Sequence, residues 1–125
     1  MGRAMAERQF YVVSVKHTRR DTLYITVWRP NDCGYAWPLS WAGKYDEARI
    51  KELPDYYHSG CSNIAVPCEV LDQMAVPTIP GTVDGDAGPV VMNNRENWQR
   101  ILKALPWPPV DQPKPEYKGA RRRKD

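Results

Sequence analysis

Phenylalanine is almost missing from this sequence: Phe10 stands alone against five tryptophans and seven tyrosines. A core assembled mainly from Phe is thereby excluded. Trp and Tyr join an apolar body to a polar tip, which suits half-buried grooves and interfaces as well as interiors. Cysteine is scarce and irregular. Cys33, Cys61 and Cys68 are odd in number and form no Cys-x-x-Cys pair, which argues against a disulfide framework and fits reduced thiols. No apolar run approaches the roughly 18–20 residues of a membrane-spanning helix, so no membrane contact is expected. The opening MGRAMAERQF has no apolar stretch of the secretory-signal type. The expectation is a cytoplasmic chain whose residues 1–8 are a flexible leader, with Met5 as a second start site. A phosphate-cradling glycine loop, a nucleophile elbow and a zincin helix are also missing. That leaves a non-catalytic binding module, without cofactor or metal, as the expected class.

Excess charge is missing from the body. Residues 111–125 hold six basic side chains against three acidic ones, which accounts for the whole formal net charge of +3. Residues 1–110 carry twelve of each sign. The basic character therefore belongs to the tail and does not mark the folded part as a nucleic-acid binder.

The 125 residues suffice for one domain, expected over 9–106. Residues 10–16, FYVVSVK, form a β-branched and aromatic run. Alternation sends Tyr11, Val13 and Val15 one way and Phe10, Val12 and Ser14 the other; both sets are largely apolar, as in a central strand. Residues 23–29, LYITVWR, predict a second strand, paired through a loop of about five or six residues. The turn signal PNDCG precedes a third strand over 35–39, placed at an edge by Pro38. Helices are predicted from Asp46 to Leu53 and over 68–74, the latter with Pro67 at its first position. Ile64-Ala65-Val66 and Val90-Val91-Met92 are short strand candidates. Asn93 and Glu96 have capping-box spacing, and Trp98, Ile101, Leu102 and Leu105 make one apolar stripe ended by Pro106. The fold class is α+β: an antiparallel N-terminal β-meander covered by a C-terminal amphipathic helix, with one or two short helices between. Residues 107–125 are proline-rich and poor in apolar side chains, and are expected to be extended or disordered.

Five groups carry candidate chemistry. Lys16, His17, Thr18, Arg19 and Arg20 gather donors for an anion at the first hairpin, and Trp28, Arg29, Tyr35 and Trp37 add flat faces for stacking. The competing reading is a solvated turn above core aromatics. The run from Trp28 to Tyr45, which also holds Trp41 and Gly43, has the composition of an interface hot spot. Asp84-Gly85-Asp86 resembles part of a calcium loop but lacks the distal ligands, and a tight hydrogen-bonded loop accounts for it better. His58, Cys61 and Cys68 fit no common zinc spacing, and a Cys–His pair is not specified by sequence. Arg121, Arg122, Arg123 and Lys124 are a basic end suited to weak nucleic-acid contact by residues 118–124, or simply to solubility.

The strings FYVVSVKHTRRD, YITVWRPNDCGYAWPLSWAGKY, NIAVPCEVLD and GTVDGDAGPVVMNNRENW, spread over residues 10–105, resemble a family of small phage and prophage proteins. The resemblance brings no established activity with it. It implies an accessory protein expressed inside a bacterial host, of a kind that acts by binding. The expected ligand is a nucleotide or nucleotide-derived signal, sequestered by His17, Arg19, Arg20, Trp28, Arg29, Tyr35 and Trp37, with a homodimer as one form of the site. The alternatives are a protein–protein inhibitor of a host defence complex, anti-CRISPR-like, and a nucleic-acid binder acting through the tail.

Overall fold

The computed structural model describes residues 8–120. Strand β1 (Gln9–Ser14) is the axis of a five-stranded antiparallel sheet. One edge of β1 pairs along its length with β5 (Asn63–Pro67), from Phe10↔Pro67 to Ser14↔Asn63. The other edge is shared. β4 (Tyr45–Asp46) takes the Gln9–Phe10 end, and β2 (Val27–Trp28) meets it at Val13. β3 (Tyr35–Ala36) adds to β2 in the register Val27↔Ala36 and Trp28↔Tyr35. The expected α+β class and N-terminal meander are present. Strand β4 was not expected, because its two residues were assigned to a helix entry.

Alternation along β1 divides the interior in two, because neighbouring side chains leave opposite faces of the pleat. Tyr11, Val13 and Val15 join Ile64, Val66, Leu71, Trp98 and Ile101 in one core. Phe10 and Val12 join Trp28, Tyr45, Ile50, Tyr57 and Ala65 in the other. Helices α3 (Cys68–Met74) and α4 (Arg95–Lys103) contribute to the first core. Helices α1 (Glu47–Glu52) and α2 (Pro54–Tyr57) contribute to the second. Trp98 and Ile101 of α4 point inward as expected, with Leu102 at the margin; the helix ends at Lys103, short of Pro106, and Leu105 packs on the same core from beyond it. No helix among the described residues is long and apolar enough to cross a membrane.

Several local expectations are corrected. The connection from β1 to β2 runs from Ser14 to Val27, longer than the short loop expected. Buried Thr18 organises it: its hydroxyl donates to the Ser14 carbonyl at 2.7 Å and accepts from the Thr26 amide at 3.0 Å. Residues 24 and 25 turn away from β1 toward 91 and 92, through the Tyr24↔Met92 bridge and the Ile25 amide on the Val91 carbonyl. Residues 90–92 consequently make isolated bridges, at Val90 and Met92, and not the strand expected. Pro67 precedes α3 as its cap position and does not occupy its first turn. Asp46 precedes α1 but caps nothing; its carboxylate accepts from Gln9 Nε2 instead. The cap of α4 is Asn94, whose side chain accepts from the Asn97 amide at 2.8 Å. Asn93 is buried and has another task. Its Nδ2 donates to the carbonyls of Arg19 and Thr22, and its Oδ1 accepts from Trp98 Nε1 at 2.6 Å. It pins α4 to the first connecting loop.

Residues 107–120 of the proline-rich tail run along the body of the domain. Trp107 packs edge-on to Phe10 and His58, with the Lys51 ammonium over its ring. The amides of Val110 and Asp111 donate to the carbonyls of His58 and Ser59. Gly60 lies beneath this strap with φ +89, and a Cβ there would stand 1.6 Å from the Asp111 carbonyl oxygen. The mean composition of the tail concealed one large ring with a socket prepared for it. Arg8 likewise belongs to the body, pairing with Glu69 at 3.4 Å. The rest of the expected leader, and the Arg121–Lys124 stretch, lie outside the described residues.

Candidate functional site

The site grows from the short edge formed by β2 and β3. After Trp28, the turn 30–34 places Asn31 and Asp32 at positive φ, a conformation that short polar side chains tolerate. A buried phenol fixes this turn. Tyr45 donates its hydroxyl to the Arg29 carbonyl at 2.5 Å and accepts from the Asp32 amide at 3.0 Å. Burial pushes the Tyr45 hydroxyl up to about 12, so it stays a donor at neutral pH. Arg49 lies over the Tyr45 and Tyr57 rings and pairs with Asp32 at 3.2 Å. Gly43 lets the chain pass close by: a Cβ there would stand 2.7 Å from Pro30 Cα. Arg29 therefore leaves a rigid stem. Its Nε donates to the Tyr35 carbonyl at 2.9 Å, and its guanidinium lies 5.1 Å from the centre of the Trp41 ring.

Beside this pair the His17 and Tyr35 rings overlap, centroids 4.2 Å apart and tilted by 30°. Ser14 Oγ holds the histidine, 3.1 Å from Nδ1 and accepting from the His17 amide. Trp37 stands across from them, its indole N–H donating to Thr26 Oγ1 at 3.1 Å and its ring edge-on to Tyr24. Tyr35 and Trp37 remain 44% and 37% exposed, so part of each ring stays open to solvent. The far wall comes from the loop between Val76 and Val90, which the Val76↔Val90 bridge closes. The buried Tyr24 hydroxyl anchors that loop, bonding Thr82 Oγ1 at 2.6 Å and accepting from the Ile79 amide at 3.0 Å. Asp86 Oδ1 accepts from the Gly81 amide, the tight-loop role expected of it. The result is a cleft of about 420 Å³ lined by His17, Arg29, Tyr35, Trp37, Trp41 and Asp84, with Thr26, Ala36, Pro38, Thr82 and Val83 between them. That volume suits a small organic ligand.

Four of the seven sequence-predicted residues thus converge: His17, Arg29, Tyr35 and Trp37. Three do not. Trp28 is 6% exposed, edge-on to Tyr45 and Tyr56 and tilted against Tyr57, with its indole N–H buried and without a partner among the described residues; it offers no face to a ligand. The two-residue strand sets this, because Val27 faces the first core and Trp28 must face the second. Arg20 turns to the tail and donates to the Ala120 carbonyl. Arg19 is exposed at the loop surface, where only its backbone is used. Sequence reading missed the wall residues Thr82, Val83 and Asp84. The signal available was the Asp-Gly-Asp turn, which marked a shaped loop but not its destination.

The other candidates separate. His58 is buried, its Nδ1 accepting from the Ala65 amide and its Nε2 donating to the Trp107 carbonyl, so both nitrogens serve the fold. Desolvation lowers its pKa, holding the ring neutral. Burial pushes the Cys68 thiol up to about 12, away from thiolate chemistry. Among the described residues no group of three or more His, Cys, Asp or Glu side chains could hold a metal ion. Comparison with protein-family models, curated proteins and solved structures finds no match for this chain.

Proposed function

We propose that this protein is a non-catalytic binding module whose cleft captures a small flat ligand of the nucleotide type, withdrawing it from solution. The observation that carries the reading is the convergence of exposed Tyr35 and Trp37 with the Trp41-stacked Arg29 guanidinium on one concavity. A planar base gains from stacking on such rings, and a guanidinium fork gains from an anionic or carbonyl group beside the base. The resemblance to small phage and prophage proteins supports sequestration of a nucleotide signal inside an infected bacterium as the setting.

Thermal denaturation against a panel of nucleosides and nucleotides tests it. A true ligand at 100 times its Kd is expected to add about 2.7 kcal/mol of stability. An unchanged midpoint across the panel would remove the proposal. A second reading, inhibition of a protein partner, is favoured by the same exposed Tyr, Trp and Arg side chains, which are enriched at interface hot spots. It predicts a partner that Trp37→Ala releases and that no nucleotide displaces.

A further inference from the structure

The polar groups of the cleft differ in whether they are already engaged. Thr26 Oγ1 donates to the His17 carbonyl and accepts from Trp37 Nε1. Thr82 Oγ1 is shared between the Ile79 carbonyl and the Tyr24 hydroxyl. These hydroxyls have little left to give a ligand. Arg29 commits Nε alone, so its two terminal nitrogens remain without a partner among the described residues. His17 commits Nδ1 and leaves Nε2. On the far wall the Asp84 carboxylate has no hydrogen bond or ion pair among the described residues, although the loop that carries it is fastened at Thr82, Ile79 and Asp86. Asp86 closes the loop; Asp84 is held out and unused.

Charge then limits what fits. Among the described residues, Arg29 is the one guanidinium of the lining, Asp84 is the one carboxylate, and no lysine is present. A single anionic group can be met by Arg29. Each additional phosphate would bring negative charge into a half-enclosed space whose described lining holds a carboxylate and, beyond Arg29, no lysine or arginine. A carboxylate with both oxygens free instead accepts two donors, such as a ribose diol or the amino edge of a base.

We infer that, within the nucleotide reading on which this step rests, the cleft selects nucleosides and nucleoside monophosphates over di- and triphosphates, and that Asp84 sets the selection. Calorimetric titration of the full chain in metal-free buffer with adenosine, AMP, ATP, guanosine, GMP and GTP tests it. The nucleoside or monophosphate of the preferred base is expected to bind at least about tenfold tighter than its triphosphate, on the scale of one charge-assisted hydrogen bond. Asp84→Asn keeps the shape of the side chain and is exposed in its loop, so an unchanged melting temperature certifies its fold. It is expected to narrow that ratio about tenfold or reverse it, weakening the nucleoside and strengthening the triphosphate. A wild-type preference for triphosphate, or a ratio that Asp84→Asn leaves unchanged, overturns the selectivity alone. Silence from all six probes overturns the nucleotide reading and the selectivity together.

Discussion

Trp98→Ala is expected to destabilise the protein by about 3–5 kcal/mol, the range for truncating a large buried aromatic. The indole is 1% exposed and belongs to the first core with Tyr11, Val13 and Val15. Its removal does two things. It leaves a cavity that rigid neighbours cannot fill, and it strips Asn93 Oδ1 of its donor while Asn93 remains buried. Because Asn93 also holds the Arg19 and Thr22 carbonyls, the damage should spread into the loop that carries His17. Trp98→Phe separates the two effects: it keeps most of the packing and loses only the hydrogen bond, so a loss of about 1–3 kcal/mol is expected. Urea titrations of the three proteins measure this. A loss below about 1 kcal/mol for Trp98→Ala would mean that α4 does not seal this core.

The second large effect is on binding. Tyr35→Ala and Trp37→Ala are each expected to weaken a nucleotide-type ligand by about 1–3 kcal/mol, the scale of one base–aromatic stack. That is roughly 5-fold to 150-fold in Kd. Both rings are partly exposed, so folding stability should change far less than it does for Trp98→Ala. Trp37→Ala also gives up the bond to Thr26, which adds about 1 kcal/mol of stability loss at most. Trp28→Ala makes the contrasting control. Trp28 is three-dimensionally adjacent to Tyr35, with ring centroids 6.5 Å apart, yet it is buried in the second core. Its removal should lower stability by several kcal/mol, within the range for buried aromatics, while the ligand contacts themselves stay in place. Calorimetry and denaturation on the three variants give the split. Equal losses of affinity from Trp28→Ala and Trp37→Ala at matched stability would mean that the cleft is not the binding surface.

What could be read from sequence was what depends on neighbours in the chain. The alternation in FYVVSVK placed four side chains of β1, and Val15 just beyond it, on their correct faces, because strand period is a local property. The spacing of Trp98, Ile101 and Leu102 gave α4 for the same reason, although the helix stops at Lys103, before Leu105. The cap slipped by one residue because two adjacent asparagines compete for it, and only the buried demand of Trp98 Nε1 decides which stays behind. The cleft was half legible. His17, Arg29, Tyr35 and Trp37 come from consecutive segments of one meander, so their meeting follows from hairpin topology. Asp84 arrives from far along the chain, and its position is fixed by the Tyr24 hydroxyl on Thr82 and Ile79, a contact with no periodic signature. The fate of Arg20 depends on the Ala120 carbonyl, a hundred residues away in a tail whose composition suggested disorder.

A ligand that enters between Tyr35, Trp37 and Trp41 is reported directly by the five indole N–H groups. In a 15N-labelled chain, with the Trp37 and Trp41 signals assigned by Trp37→Phe and Trp41→Phe, the indole region is followed through a titration with the nucleoside and nucleotide panel. The Trp37 and Trp41 signals are expected to move with the same saturation curve while those of buried Trp28 and Trp98 and half-buried Trp107 hold still. Saturable binding that leaves Trp37 and Trp41 unmoved, or a spectrum unchanged by every compound, would contradict entry at this cleft.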